Sequence, residues 1–463
     1  MRKEKGDYID ILGANMKLYS KIMIGAMVCV IGLAAGFGLV RAMSDKGSDT
    51  VAAIYDLYLD SYDWGPVLDK IVMQTDYPIN AVDRSTFSVM EHMTVDGYDY
   101  NTNRQVTACY LCDENGQMIE EDKSSRFITI ELAAYPSLPP YFQQIDENGG
   151  KYYFGYPDSF DAEIMLSDSA ALTSVKTEVT TFNISRTANS LKRDIDDFET
   201  ASFEASDGVS YDYALWTPEK NADTLIVFLQ GLTAGAGVSR TDAYLPVQVF
   251  KTEAMTSDSF QNMMGGASIL VPQCPTFWMD YSGSAEFGTD GLISHDNTSY
   301  YTQSLHELIL SVKDQTKADK VILIGTSNGG FMCMVMGLNY GSEYDGYLMM
   351  SESMMDYCLS DDDIQKLAQC PMYFLYSMDD DVEPVDQQEI LTIDRLRAAG
   401  AANIHAFEAD GIFDQSGMYE TDDGAYRYSG HFTPIAFFND WDYCNEADGC
   451  GMTAWQWMAS IAQ

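Results

Sequence analysis

The stretch 320–331, K-V-I-L-I-G-T-S-N-G-G-F, constrains the fold of this chain more than any other. Val321, Ile322, Leu323 and Ile324 form an unbroken aliphatic run, the pattern of a strand buried on both faces of a parallel sheet. The run stops at Gly325-Thr326-Ser327-Asn328-Gly329-Gly330 and resumes as F-M-C-M-V-M, the texture of an apolar helix. Strand, glycine-flanked turn with a central serine, then helix is the G-x-S-x-G nucleophile elbow. Such a turn pushes the serine hydroxyl outward, and side chains at 325 and 329 would collide with the adjoining strand and helix. Ser327 is therefore the candidate nucleophile.

A serine hydroxyl needs a base to take its proton, and that base needs a carboxylate to orient it. After an elbow the expected chain order is Ser, then Asp or Glu, then His. Only two of the five histidines follow Ser327. His405 sits inside the strand-like run I-H-A-F-E, whereas His431 lies in the loop sequence Y-S-G-H-F-T-P beyond it, which makes His431 the expected base. The acid should follow the apolar run at 372–376, where S-M-D-D-D-V-E-P offers three aspartates. Against the common hydrolase pattern G-x-x-D-x-x-V-P, Asp380 aligns with the acid, with Ser377 in place of Gly and Glu383 in place of Val; Asp381 is the fallback. The oxyanion requires two backbone N–H donors. Asn328 supplies one, and the turn after Leu229 supplies the other at Leu232 or Thr233.

The remainder of residues 191–463 fits this scheme. T-L-I-V-F-L from 224 and A-S-I-L-V-P from 267 are further buried strands, and 300–316 and 387–399 have helical spacing. Buried strands alternating with helices predict a mostly parallel sheet with helices on both faces. The glycines at 235 and 237 do not complete a G-x-G-x-x-G fingerprint, because position 240 is Arg. No cofactor and no metal are expected.

Residues 48–190 have a different texture. Short alternating segments such as D-K-I-V-M-Q-T, V-T-A-C-Y-L and F-I-T-I-E-L are separated by turn sequences, which predicts an all-β sandwich. The polar stretch 189–197 is expected to be the linker. Cys109 and Cys112 are three apart in a strand and point to opposite faces, so they are expected to be structural. Cys444 and Cys450 flank a short polar loop that a disulfide could close.

Residues 1–47 behave as a targeting segment. Of 27 Lys/Arg and 70 Asp/Glu, seven and four fall within the first 46 residues, leaving 20 and 66 beyond. An uncharged apolar run spans 22–40, about the length needed to cross a bilayer. Basic residues before it predict a cytoplasmic N-terminus and an exported remainder, through either a cleaved signal or a retained membrane anchor. A formal charge of −43 repels phosphate backbones, which excludes nucleic acid as a partner.

With these motifs in place, residues 198–463 resemble an α/β-hydrolase of the bacterial esterase and prolyl-oligopeptidase-like group. D-G-V-x-Y-x-Y-A-L-W-T-P, V-P-Q-C-P-T-F-W and G-H-F-T-P-I carry the resemblance. The upstream part, with D-W-G-P at 63–66, is similar to the immunoglobulin-like N-terminal domain of some secreted esterases. Gln230-Gly231 stands where many relatives carry His-Gly, which leaves the second oxyanion donor open. The resemblance implies an extracytoplasmic serine hydrolase acting on a small-molecule or polymer-linked acyl ester. A serine peptidase is the alternative, and a surface binding protein with a decayed site is a third reading. Trp278 would either line the acyl pocket or pack in the core.

Overall fold

Two burial periods divide the molecule. In β1 (Thr50–Tyr62) buried side chains recur at every second position, as in a strand with one face on a core; β2 (Gly65–Ile79) carries longer buried runs, and β3 (Phe87–Val95) alternates like β1. The computed structural model describes residues 47–463 except 121–122, 147–151, 221, 285–295, 422–423 and 443–450. The apolar run 22–40 and the cysteines at 444 and 450 lie outside the described residues. No described helix is long and apolar enough to cross a membrane.

The N-terminal strands make a sandwich. With β4 (Tyr98–Arg104), β5 (Val106–Cys112), β6 (Ser125–Leu132), β7 (Ser159–Leu166) and β8 (Thr181–Ile184), the sheets run β8-β1-β2-β6-β5 and β4-β3-β7. Tyr55, Leu57 and Ile71 from the first sheet share one core with Phe87, Val89, Ala162 and Ile164 from the second. Cys109 and Cys112 are buried in β5 and not disulfide-bonded. The stretch expected to be a linker departs from expectation. Ser190–Arg193 is a strand, β9, which pairs in parallel with β1 from Asp56 to Leu59. Its polar side chains are tolerated because β9 lies at a sheet edge, where backbone pairing rather than burial holds it.

The C-terminal domain is one eight-stranded sheet. In chain order its strands are β10 (Glu199–Glu204), β11 (Ser210–Trp216), β12 (Thr224–Leu229), β13 (Ala267–Pro272), β14 (Lys320–Thr326), β15 (Gly346–Met350), β16 (Met372–Ser377) and β17 (Ile404–Ala409). The spatial order is β10-β11-β13-β12-β14-β15-β16-β17. The first three are antiparallel neighbours, and the pairings from β13 to β17 are parallel.

The continuous apolar runs follow from this layout. Leu225, Val227, Val321 and Leu323 enter one core with α1 (Thr302–Thr316), α2 (Asn328–Tyr340) and α3 (Glu389–Ala398). Ile226, Phe228, Ile322 and Ile324 enter a second core with Trp457 and Met458 of α4 (Ala454–Ala462). Both faces of the sheet are thus covered, which aligns the carboxyl ends of β12, β14, β16 and β17 along one edge where their loops meet.

Candidate active site

Ser327 sits at the sharp turn between β14 and α2 with φ 52° and ψ −117°, a conformation that L-residues rarely adopt. Two backbone bonds hold it there. The Ser327 amide donates to the Met350 carbonyl of β15 at 2.8 Å, and the Phe331 amide donates back to the Ser327 carbonyl at 3.0 Å. The flanking glycines are sterically required. A Cβ at Gly329 would lie 1.9 Å from the Leu229 carbonyl oxygen, and one at Gly325 would lie 2.3 Å from the Gly329 carbonyl oxygen. The close approach of α2 to β12 and β14 therefore exists only with glycine at both positions.

His431 and Asp380 arrive from the loops after β17 and β16. His431 Nδ1 and Asp380 Oδ2 are 2.9 Å apart, and the carboxylate side chain is fully buried. Asp380 Oδ1 accepts from the Val382 and Glu383 amides at 2.9 and 3.0 Å. Burial raises the pKa of this carboxyl, but His431 and the two amides outweigh burial and hold it below its ordinary range. An ionised carboxylate can only accept, so Nδ1 carries the proton and Nε2 is left as the acceptor. Asp381 takes a different partner, Ser429 Oγ at 3.2 Å. His405 lies in β17 beside the Tyr373 ring.

The turn after β12 is pinned by Gln230. This side chain is 1% exposed, and its amide, oriented to satisfy both neighbours, donates to the Pro272 carbonyl at 2.8 Å and accepts from the Cys274 amide at 2.9 Å. The residue that departs from the common His-Gly thus ties the turn to the end of β13. Leu232 opens a short 3₁₀ turn, Leu232–Ala234, directly after Gly231. Asn328 is the first residue of α2, so its amide has no carbonyl one turn back. Its side chain is occupied, with Oδ1 accepting from the Trp278 amide at 2.6 Å. Trp278 is wholly buried against Tyr211 and Tyr301, as a core residue.

The sequence reading did not anticipate Ser353 and Glu383. Ser327 Oγ is 3.5 Å from Ser353 Oγ, and Ser353 in turn donates to Glu383 Oε1 at 2.5 Å. Gln388 Nε2 donates to the other Glu383 oxygen at 2.7 Å. Burial pushes the Glu383 carboxyl above its ordinary range, against the hydrogen bonds from Gln388 and Ser353. With the Ser353 proton directed at Glu383, the Ser327 hydroxyl is the donor of the pair, and no hydrogen bond joins Ser327 to His431. Glu383 in place of Val in the acid loop was the sequence signal for this line of groups.

A mostly parallel sheet with helices on both faces, a strained serine elbow, and a His–Asp pair on the loops at its carboxyl edge define an α/β-hydrolase fold preceded by a β-sandwich. Residues 55–184 match the family described as the esterase Ig-like N-terminal domain. Among solved structures, one described as a thermostable esterase has a TM-score of 0.66 at 18% identity, over 83% of this chain and 96% of that one. A carboxyl esterase from Bacillus coagulans covers 46% of this chain and 89% of its own at 11% identity and a TM-score of 0.32. Brefeldin A esterase covers 58% and 78% at 12% identity and a TM-score of 0.35. No curated protein matches the chain.

Proposed function

We propose that this protein is a serine hydrolase that cleaves carboxylic esters through an acyl-enzyme. The observation that carries the reading is the His431–Asp380 pair, with an ionised acid fixing the imidazole tautomer, on the same sheet edge as a serine held in elbow geometry. In the reaction the Ser327 hydroxyl turns from Ser353 towards His431 Nε2. Oγ attacks the acyl carbonyl as its proton passes to Nε2, forming the new C–O bond and a tetrahedral oxyanion. The Asn328 amide and the amide of Leu232 or Thr233 stabilise that oxyanion. The bond to the alcohol breaks as Nε2 returns the proton to the departing oxygen. Water then repeats the sequence on the acyl-enzyme and frees Ser327.

Replacing Ser327 with Ala is expected to lower turnover by several orders of magnitude in a protein with an unchanged melting temperature. A fluorophosphonate probe should label wild type at Ser327 and leave the variant unlabelled. Wild-type turnover in Ser327→Ala would end this proposal. Ester and amide hydrolysis share this machinery, and no blade-like repeat is present in the sequence to build the propeller of an oligopeptidase. Short-chain p-nitrophenyl esters are therefore expected to turn over much faster than aminoacyl or prolyl p-nitroanilides, and the reverse ranking would make this a peptidase.

The basic residues ahead of the apolar run 22–40, and the acidic chain after it, support an extracytoplasmic site of action. Protease treatment of intact cells should then degrade the sandwich; full protection until lysis contradicts that placement.

A further inference from the structure

A cavity of about 510 Å³ lies between the two domains. That is within the range of pockets that enclose a small organic ligand. The sandwich contributes Trp64, Phe142 and Phe154 to its wall, and the catalytic domain contributes Phe250, Tyr428 and Phe432. Its lining includes neighbours in sequence of the candidate site residues. Ser429 and Phe432, which bracket His431, line it, as does Thr233 of the turn expected to bind the oxyanion. A Cβ at Gly231 would lie 3.3 Å from the Phe250 ring, which lines the cavity, and 3.7 Å from the Thr326 methyl, next to Ser327.

The lining also defines the chemistry of an occupant. Two cations border the cavity and both are engaged. Lys251 Nζ is 3.0 Å from Asp63 Oδ1 and from Asn439 Oδ1. Arg427 pairs with Asp379 and lies over the Phe413 ring. A free carboxylate ligand would therefore find no uncommitted positive charge among the described lining residues, in a protein of net charge −43. Aromatic rings favour a planar apolar group, through offset or edge contacts. The Trp64 ring adds apolar surface to this wall; its indole N–H is itself packed away from the cavity and has no acceptor among the described residues.

We propose that this interdomain cavity is a substrate subsite for an uncharged aryl group, so that the sandwich domain selects aryl-bearing esters. The proposal rests on the ester-hydrolase reading. An aryl group there could belong to the alcohol or to the acyl half of the ester, and the substrates below separate the two. Phe154 and Trp64 are specificity residues, remote from the bonds that change.

The test compares kcat/KM for 2-naphthyl acetate, methyl 2-naphthoate and ethyl acetate in wild type, Phe154→Ala and Trp64→Phe. The first carries its ring on the alcohol, the second on the acyl group, and the third has none. Phe154→Ala is expected to lower kcat/KM about ten-fold for one naphthyl ester and to leave ethyl acetate within about two-fold, as for a lost apolar pocket contact. The naphthyl ester affected identifies the half of the substrate that enters. Trp64→Phe keeps an aromatic ring but reduces the apolar face it presents, and should weaken the same substrate. Fluorophosphonate labelling of Ser327 at the wild-type rate certifies that each variant is folded. A parallel fall for all three esters, or no change for either naphthyl ester in both variants, overturns the subsite. Titration of 2-naphthyl acetate into Ser327→Ala protein, with and without Phe154→Ala, reads the subsite without turnover. Binding that Phe154→Ala removes supports the subsite even if wild type cleaves no ester, an outcome that would sink only the hydrolase reading.

Discussion

Beneath the elbow lies a pair of acids that the proposed chemistry does not use, and one substitution tests their cost. Glu352 is fully buried and Glu389 is 1% exposed. Glu352 Oε2 accepts from the Met354 amide, but its Oε1 and both oxygens of Glu389 have no hydrogen-bond partner of ordinary geometry. Burial, reinforced by the nearby Glu383 and Asp380 charges, pushes the Glu389 carboxyl up to about 8. The folded chain therefore holds a proton that the unfolded chain releases near 4.5, the ordinary value for glutamate. Between those two pH values the folded state binds more protons than the unfolded state, so stability falls as pH rises. Across the full interval the penalty is about 5 kcal/mol, at roughly 1.4 kcal/mol per pH unit.

Glu389→Gln removes that titration and leaves an amide whose donors are imperfectly paired, at a cost of about 1–3 kcal/mol that does not depend on pH. At pH 5 the variant should be the less stable protein by about that amount. At pH 8 it should be the more stable by about 2–4 kcal/mol, the difference between the two effects. Urea unfolding at pH 5, 6.5 and 8 and constant ionic strength reads this directly. The two stability curves must cross. A gap between variant and wild type of the same sign and size at all three pH values would refute the reasoning, because it would show that Glu389 does not titrate differently on folding.

Asp380→Asn should lower kcat by about 10⁴, because a neutral amide no longer fixes the tautomer that leaves Nε2 free to accept, whereas Asp381→Asn should stay within about ten-fold of wild type; equal losses in steady-state assays would contradict the assignment. The Asp63 side chain, 5% exposed, accepts from Lys251, Asn439 and Tyr428 at 3.0, 2.9 and 3.2 Å and so joins the sandwich to the loop that carries His431. Asp63→Asn should weaken this junction by about 1.5–3 kcal/mol, and calorimetry should then resolve the two domains as separate transitions with ester turnover reduced; a single unshifted transition with full turnover would argue against the clamp.

The catalytic domain was legible because its strands are buried on both faces. The cores of Thr224–Leu229 and Lys320–Thr326, L-I-V-F-L and V-I-L-I, have no polar position to hide, and turns punctuate them sharply. Asp380 could be distinguished from Asp381 only by an alignment of loop spacing, whereas the geometry separates them by partner, His431 for one and Ser429 for the other. Ser190–Arg193 was read as a linker because S-L-K-R carries no apolar alternation; an edge strand is held by its neighbour's backbone, which composition does not record. Ser353 and Glu383 were missed for a related reason. They are 30 residues apart and meet only through the crossing of two loops. The interdomain cavity depends on contacts between residues hundreds of positions apart, so no local pattern announces it.

Those distant contacts set an order of events for a newly made chain. Asp63 is 365 residues from Tyr428 and 376 from Asn439. Closing a loop of that length from the unfolded chain costs roughly 5 kcal/mol in entropy, so the clamp forms only after each domain has condensed and shortened the path between them. Synthesis proceeds at about 5–20 residues per second, which leaves the sandwich exposed for tens of seconds before its last partners exist. His431 lies between Tyr428 and Asn439 and is synthesised with them. A ribosome-bound chain therefore has a finished β-domain and an elbow serine but no base. It acquires its base and the closing contacts for its aromatic cleft almost together.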